Sequence, residues 1–246
     1  MSVKKLGLIG QPLSHSFSKK YFQQKFDSQG IREWSYDLYP LAAIGDLPSL
    51  WASEPNLVGL NVTIPYKEQV MPLLTELSDE ARLIGAVNCI KRVDGGWRGY
   101  NTDAYGFSQS IKPFLEPSHD RALVLGSGGA SKAVVYVLNS LGIPSTLVSR
   151  QSSENAIAYG DLNEAYLKHH RLIVNTTPCG MYPHVDELPP IKTEAIGEGH
   201  FVVDLIYNPE ETKLLKISKA QGAMVLNGLS MLQLQAERSW EIWSND

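Results

Sequence analysis

The chain has 246 residues, of which 43% are hydrophobic and 20% charged, and its formal net charge is −4 at pH 7. This composition is typical of a globular protein, and it excludes a broad basic surface for nucleic acid or for an anionic membrane. The two cysteines stand far apart and no apolar run is long enough to span a bilayer. We therefore expect a cytoplasmic protein with no nucleic-acid or membrane partner. We also expect a monomer or homodimer with a small-molecule substrate.

Strand-like and helix-like segments alternate through the first hundred residues. Apolar and β-branched runs predict strands at 6–10, 34–40 and 57–63. Helical spacing predicts helices over 16–30, 43–53 and 67–77. A short helix is expected after Ser78, which suits an N-cap, and Asp94-Gly95-Gly96 indicates a hairpin.

The alternation restarts after the soft segment EPSHD at 116–120. Five further strands are predicted, at 121–126, 143–150, 171–177, 200–207 and 223–228. A helix follows the first of them, and a final helix covers 229–243. Strands that alternate with helices indicate parallel sheets covered on both faces, so the fold class is α/β. The change of pattern near 104–120 predicts two α/β domains.

A glycine-rich turn opens the second half of the chain. Residues 122–130 read ALVLGSGGA, a strand that runs into three glycines before a helix. Glycine permits a tight turn, and the helix N-terminus favours a phosphate. Ser131 replaces the third glycine of the usual dinucleotide pattern, and such a turn can also be a plain strand–helix connection. Its place in an α/β repeat favours nucleotide binding.

The segment after the next strand distinguishes the two nicotinamide dinucleotides. An NAD site carries Asp or Glu there, whereas this chain carries Ser149, Arg150 and further uncharged polar residues. A guanidinium and hydroxyls suit a 2′-phosphate, so we predict NADP. The alternative is that Arg150 is an ordinary surface arginine.

Polar residues lie at or just beyond the ends of several predicted strands of the first half. They are Ser14, Ser16, Ser18, Asn61, Thr63, Asn88, Asn101, Thr102 and Asp103. Ligands of open α/β sheets bind beyond the carboxyl ends of strands, so we predict a cleft for a small polyhydroxylated molecule. Taken singly, several of these residues equally suit helix caps, for example Ser16 for the first helix.

A lysine ends the strand-like stretch GLNVTIPYK at residues 59–67. Lys67 could be the solvated start of the next helix, since lysine is mostly exposed. Beside a carboxylate such as Asp103 it could instead relay a proton, which carbonyl reduction by hydride requires. No His or Cys cluster lies nearby, so we expect no metal.

Together these motifs resemble the shikimate dehydrogenase family. The matching blocks are GQPLSHSFS (10–18), GLNVTIPYK (59–67), GAVNCI (85–90), GYNTDAYG (99–106), GSGGAS (126–131), NTTPCGM (175–181), DLIYNPEET (204–212) and NGLSMLQLQA (227–236). They follow the family's order and span nearly the whole chain. The resemblance implies reversible NADPH-dependent reduction of 3-dehydroshikimate to shikimate, in chorismate and aromatic amino acid biosynthesis.

The resemblance also implies a division of the chain. Residues 1–103 would form the substrate-binding and catalytic domain. Residues 104–227 would form a Rossmann-like NADP-binding domain, and residues 228–246 a helix that packs back on the first domain.

Roles for individual residues follow from the same resemblance. It implies Lys67 as the proton-transfer group and Asp103 as its partner. The substrate carboxylate and ring hydroxyls would be bound by Ser16, Ser18, Thr63, Asn88, Tyr207 and Gln235, with Asn61 as a helper. The cofactor would be bound by Gly126, Ser127, Gly128, Gly129, Ala130, Ser149, Arg150, Leu205 and Gly228.

The chain departs from the family pattern in places. Lys19 stands where the family usually has proline, and Ser149-Arg150-Gln151 stands for the usual Asn-Arg-Thr, which keeps the arginine but weakens the site. Two alternatives stay open. One is a quinate/shikimate dehydrogenase that prefers NAD, and the other is a catalytically silent metabolite sensor.

Overall fold

The computed structural model describes residues 2–13 and 16–245, so Ser14 lies outside the described residues. The chain forms two compact units. The first consists of residues up to Thr102 together with residues from Ala236 on, and the second is Asp103–Gln235. Each unit contains its own six-stranded sheet with helices, which confirms the predicted α/β fold class. The functional division of the chain stays a prediction.

The sheet of the first unit is mixed. Its strands are β1 (Lys4–Gly10), β2 (Trp34–Pro40), β3 (Leu57–Val62), β4 (Glu76–Leu77), β5 (Cys89–Val93) and β6 (Gly96–Tyr100). They lie in the order β2-β1-β3-β5-β6-β4, with β1 parallel to β2 and β3, and β5 antiparallel to β3 and β6. The hairpin is confirmed, and it is the reason why the expectation of purely parallel sheets is wrong for this unit.

The sheet of the second unit is wholly parallel. Its strands are β7 (Ala122–Leu125), β8 (Ser145–Ser149), β9 (Ala156–Ala158), β10 (Leu172–Asn175), β11 (Phe201–Asp204) and β12 (Met224–Leu226). They lie in the order β12-β11-β10-β7-β8-β9. Counted from β7 as the first, this is the strand order of a doubly wound dinucleotide-binding sheet, with the order reversing between β7 and β10.

The helices are α1 (Phe17–Gln29), α2 (Leu47–Ser53), α3 (Asp79–Ile84), α4 (Asp103–Ile111), α5 (Gly129–Ser140), α6 (Glu164–His169), α7 (Lys213–Ala220) and α8 (Leu229–Ser244). The predicted N-cap of α3 is confirmed, because Ser78 Oγ accepts a hydrogen bond from Ala81 N at 3.1 Å. Within 2–13 and 16–245, none of the helices combines the length and apolar character that a membrane crossing needs.

The helix predicted over 67–77 is absent. A turn covers 67–70, a single 3₁₀ turn covers Met71–Leu73, and the chain then enters β4. Pro72 explains the difference, because it lacks an N–H and disfavours helical geometry at Met71. The strand predicted over 200–207 is also shorter than expected and ends at Asp204, where the chain leaves the sheet.

The end of α8 packs against the first sheet. Trp243 is 4% exposed, its ring centroid lies 5.6 Å from that of Phe22, and its Nε1 donates to Ile90 O at 2.9 Å. The indole lies directly over Gly59 of β3, so that a Cβ on Gly59 would collide with it. Because Gly59 in GLNVTIPYK has no side chain, the end of α8 can pack directly against the sheet.

Gly59→Ala tests this packing. The added methyl group must displace a buried, hydrogen-bonded indole, so we expect a loss of about 1–3 kcal/mol in the free energy of unfolding. Gly45→Ala is the matched control, because no heavy atom lies within 4 Å of its Cβ position. Urea unfolding followed by tryptophan fluorescence measures both variants, and equal stability of the two would contradict the packing.

Candidate active site

Lys67 lies in the turn that leaves β3. Backbone hydrogen bonds hold both ends of this turn, since Thr63 N donates to Ile9 O at 2.9 Å and Val87 N donates to Lys67 O at 2.8 Å. Lys67 is half-buried, and no α-helix begins at it. The alternative that Lys67 is a solvated helix start is therefore wrong. The turn places the lysine at the carboxyl edge of the first sheet, together with Thr63.

Asn61, the next-to-last residue of β3, uses its amide inside the first unit. Its Oδ1 accepts from Tyr36 Oη at 2.9 Å, and its Nδ2 donates to Asn88 O at 3.2 Å and to Ser239 Oγ at 3.0 Å. Burial raises the pKa of the Tyr36 phenol, so the phenol stays protonated and donates. With both amide hydrogens engaged, Asn61 is placed to support Asn88 rather than to donate to a ligand.

Asn88 is held in one orientation by Thr102. The Thr102 backbone N–H donates to Asn88 Oδ1 at 2.6 Å, and because an N–H can only donate, this bond decides which way the amide faces. Asn88 Nδ2 also lies 3.0 Å from Thr102 Oγ1, which in turn lies 3.1 Å from Ser239 Oγ. All three residues are at most 3% exposed. Buried neighbours thus fix the orientation of Asn88, which is predicted to bind a ring hydroxyl.

Ser16 and Ser18 flank the start of α1. Ser16 occupies the N-cap position in an extended conformation, but its side chain does not cap the helix. Its Oγ is buried and has no hydrogen-bond partner among the described residues. A buried hydroxyl left unpaired costs about 1–3 kcal/mol, so a ligand oxygen that pairs with it would recover that energy. Ser18 is half-buried and hydrogen-bonds to Tyr36.

The glycine loop of the second unit joins β7 to α5. Gly126 has φ of 106°, and a Cβ there would lie 2.7 Å from Thr176 Oγ1. Gly128 is the N-cap of α5, where no side chain caps the helix and no heavy atom lies within 4 Å of the position that a Cβ would take. Ser131, which replaces the third glycine, is buried and donates from Oγ to Gly128 O at 2.6 Å.

This loop fits a dinucleotide pyrophosphate. Ser127 and Gly128 are exposed, while Gly129 and Ala130 form the first turn of α5 and are half-buried. The amide groups at the start of this twelve-residue helix lack a side-chain cap, and the space above Gly128 is open. Such a helix start attracts a phosphate through its N–H groups and its dipole.

The residues predicted to bind the 2′-phosphate follow β8. Ser149 is half-buried and its Oγ donates to Gln151 O, which engages the hydroxyl locally. Arg150 is exposed and makes no ion pair with any other described residue. The charge of the Arg150 guanidinium is therefore available to a phosphate at this end of the strand.

Asp204 ends β11 as a fully buried carboxylate. It accepts from Thr212 Oγ1 at 2.7 Å, Asn175 Nδ2 at 3.0 Å and Ile206 N at 3.1 Å. Burial raises the pKa of Asp204 to about 6, and the three hydrogen bonds oppose that rise. These bonds tie the ends of β10 and β11 to the segment that follows, which carries two predicted site residues.

Those two residues are Leu205 and Tyr207, both half-buried. Gly228, just before α8, approaches the first of them so closely that a Cβ on Gly228 would collide with Leu205 O. Gly228 N also donates to Ile206 O at 3.0 Å. The structure therefore brings Leu205 and Gly228 together, at the carboxyl edge that also holds the glycine loop.

Asp103 and Gln235 belong to the second unit. Asp103 is the first residue of α4 and is 6% exposed, and Gln235 is 8% exposed and donates from Nε2 to Leu232 O at 2.8 Å. Lys67 belongs to the first unit. Its pairing with Asp103, and the sharing of one ligand by Asn88 and Gln235, stay predictions.

The described ranges contain no group of three or more His, Cys, Asp or Glu side chains that could hold a metal ion. Cys89 and Cys179 are both free thiols.

The sequence patterns did not identify the buried residues whose hydrogen bonds hold the candidate site in place. Tyr36 and Ser239 lie far in sequence from the asparagine that they contact, and the Asp204 cluster joins three separate segments. A weak signal existed for the cluster, since Asp204 and Thr212 are the first and last residues of the block DLIYNPEET. None existed for Tyr36 or Ser239.

Comparisons with known proteins agree with this architecture. The sequence profile of the shikimate dehydrogenase substrate binding domain matches residues 8–90. A shikimate dehydrogenase (NADP(+)) of Clostridium beijerinckii is 41% identical over 96% of this chain and 90% of its own. The solved shikimate 5-dehydrogenase of Thermus thermophilus, in complex with NADP(H) and shikimate, is 30% identical with a TM-score of 0.87, covering 99% and 94% of the two chains.

A quinate dehydrogenase from Corynebacterium glutamicum, solved in complex with NAD, is 29% identical with a TM-score of 0.86 over 99% of this chain and 94% of its own. A doubly wound dinucleotide-type sheet in one unit and a polar strand-end site in the other define a two-unit α/β oxidoreductase. The chain belongs to the shikimate dehydrogenase family.

Asp204→Asn tests the buried carboxylate. The folded-state pKa of about 6 lies above the ordinary value of 3.8, so the folded state binds this proton more tightly. The stability that protonated Asp204 contributes is present below about pH 4 and is lost as the pH rises through 6, by roughly 3 kcal/mol. Relative to the Asn variant, the wild type should therefore lose stability over this interval.

Urea unfolding at several pH values between about 4 and 7.5 measures the difference. Asp186→Asn, at an exposed position, is the control and should leave the pH profile unchanged. Parallel profiles of the wild type and Asp204→Asn would contradict the raised pKa.

Proposed function

We propose that this chain catalyses the reversible NADPH-dependent reduction of 3-dehydroshikimate to shikimate. The observation that carries the proposal is the similarity to NADP-dependent shikimate dehydrogenases over 96–98% of the chain. The polar edge of the first sheet and the glycine loop of the second supply the two binding surfaces that the reaction requires. The enzyme would serve chorismate and aromatic amino acid biosynthesis in the cytoplasm, without a nucleic-acid or membrane partner.

The substrate would be held by directed hydrogen bonds. Ser16 supplies a buried hydroxyl in need of a partner, and with Ser18 and Tyr207 it would bind the substrate carboxylate. Thr63, Asn88 and Gln235 would bind the ring hydroxyls. Because Thr102 presets the Asn88 amide, the enzyme loses little conformational entropy at this contact when the substrate binds.

Lys67 would transfer the proton of the reaction. In the direction of reduction its Nζ donates a proton to the substrate carbonyl oxygen, and in the direction of oxidation it accepts the hydroxyl proton. Asp103 would orient the Lys67 ammonium group. The reduced nicotinamide, when bound, supplies the hydride that adds to the carbonyl carbon.

The cofactor would lie along the carboxyl edge of the second sheet. The uncapped start of α5, from Gly126 to the first helical turn, would hold the pyrophosphate. Leu205 and Gly228 would contact the nicotinamide, and Arg150 with Ser149 would bind the 2′-phosphate. Since Ser149 Oγ already donates to Gln151 O, most of the discrimination would rest on Arg150.

A four-way assay tests the activity. Purified protein is offered shikimate or quinate, each with NADP⁺ or NAD⁺, and the absorbance of the reduced nicotinamide is followed. We expect fast turnover only with shikimate and NADP⁺. Comparable rates with quinate or NAD⁺ would identify the broader quinate/shikimate dehydrogenase instead. Ligand binding by calorimetry without turnover would identify the metabolite sensor.

Lys67→Ala tests the proton-transfer role. The variant should lose about 10²–10⁴-fold in kcat with a small change in KM for shikimate, because the proton relay is lost while the other contacts remain. Lys20→Ala, at an exposed position on α1, is the control and should keep normal kcat. Near-normal kcat in Lys67→Ala would refute the assignment.

Arg150→Ala tests cofactor discrimination. Loss of a charge-assisted contact to the 2′-phosphate should raise KM for NADPH about 10- to 100-fold and leave KM for NADH nearly unchanged. Arg32→Ala, an exposed arginine of the first unit, is the control. If both cofactors were affected equally, Arg150 would not read the phosphate.

A further inference from the structure

An open polar pocket lies on the surface of the second unit, away from the residues assigned above. Its volume is about 790 Å³, and we call it the basic pocket. The pocket is bordered by the segment that precedes β7, by α6, and by the residue that precedes β10. The charged residues and histidines of its lining are Asp120, Arg121, Lys168, His169, His170 and Arg171.

The lining carries an excess of positive charge. Three permanent cations, Arg121, Lys168 and Arg171, face one carboxylate, that of Asp120. None of the three cations makes an ion pair with another described residue. The acidic residue of α6, Glu164, instead lies 3.7 Å from Lys192 and does not line the pocket. On a chain of net charge −4, a group of three unpaired cations stands out.

The two arginines are neighbours across the sheet. The register pairs Ala122 of β7 with Leu172 of β10, and Leu172 N donates to Arg121 O at 3.3 Å. Arg121 and Arg171 thus occupy matching positions one residue before their strands. Matching positions on adjacent strands are about 5 Å apart and face the same side of the sheet. Both arginines are exposed, so solvent screens their mutual repulsion, and an anion between them would offset the rest of it.

His170 lines the pocket but does not contribute a positive charge to it. Its Nδ1 lies 2.8 Å from Tyr166 O and its Nε2 lies 3.1 Å from Thr146 Oγ1, so both ring nitrogens are engaged. Burial lowers the pKa of this imidazole. The charge that a ligand would meet therefore comes from the two arginines and Lys168.

We propose that the basic pocket binds the phosphoryl group of a small molecule. Guanidinium groups match phosphate oxygens with paired N–H donors, and Lys168 adds a point charge. Three cations less one carboxylate leave two positive charges, which balance a phosphate dianion. The pocket, about 790 Å³ in volume and open to solvent, has room for a phosphate ester of a small metabolite as well as for the free ion.

The pocket is separate from the cofactor-binding edge. Arg121 precedes β7 and Gly126 follows it, so the four residues of β7 lie between the two sites. At about 3.3 Å per residue, these positions are roughly 16 Å apart along the strand. A phosphate in the basic pocket is consequently not a phosphate of the nicotinamide dinucleotide.

Calorimetric titration tests the pocket, with inorganic phosphate and glycerol 3-phosphate as probes. Arg121→Ala and Arg171→Ala should each weaken binding about tenfold or more, and the double variant should abolish it. Arg121→Lys should bind with intermediate affinity, because it keeps the charge and loses the paired donors. In ¹⁵N-resolved NMR spectra, the amide signals of residues 163–171 should shift on titration.

Two controls make the result specific. Arg32→Ala should bind like the wild type, and Arg150→Ala should retain binding, because its phosphate site is a different one. Tighter binding of glycerol 3-phosphate than of phosphate identifies an ester ligand, and equal binding identifies the free ion; both support the site. Binding that persists in the double variant, or that disappears in Arg150→Ala, means an adventitious ion only and overturns the proposal. Thermal unfolding of each variant confirms that the exposed substitutions leave the fold intact.

Discussion

The Asn61 side chain connects the segments that form the candidate catalytic edge of the first sheet. A buried amide at the end of a strand must find partners for both hydrogens and for its oxygen, and Asn61 finds them in three other segments. Through Tyr36 it joins β2 and the start of α1, through the Asn88 carbonyl it joins the entry to β5, and through Ser239 it joins α8. These three hydrogen bonds fix the segments relative to the end of β3.

The second unit also has a buried polar group that joins several segments, but this group is charged. Asp204 brings a carboxylate into the interior at the end of β11, and three donors from separate segments surround it. Such a group is costly to bury and more costly to leave unpaired, so it specifies one arrangement of the loops around it. In both units, buried hydrogen bonds fix the segments that carry the residues predicted to bind ligands.

Much of the fold could be predicted because it depends on local patterns. The glycines after β7, the Ser78 cap and the Asp94-Gly95 turn each act over a few residues, and each is visible in the sequence. Residues 67–77 show the limit of periodicity, because the apolar spacing suits a helix while Pro72 forbids one. Within the candidate site, the strand-end residues could be identified from position and motif. Tyr36 and Ser239 could not, because their role depends on contacts made 25 and 178 residues away from Asn61.

The division of the chain into units has a consequence for synthesis. The first unit is discontinuous in sequence, since it needs residues from Ala236 on, while the second unit is one uninterrupted segment. On the ribosome, Ser239 and Trp243 emerge after the whole of the second unit. Until then Asn61 lacks one of its three hydrogen-bond partners, and Gly59 lacks the indole that covers it. The first unit can therefore complete its packing only after the segment that forms the second unit has been synthesised.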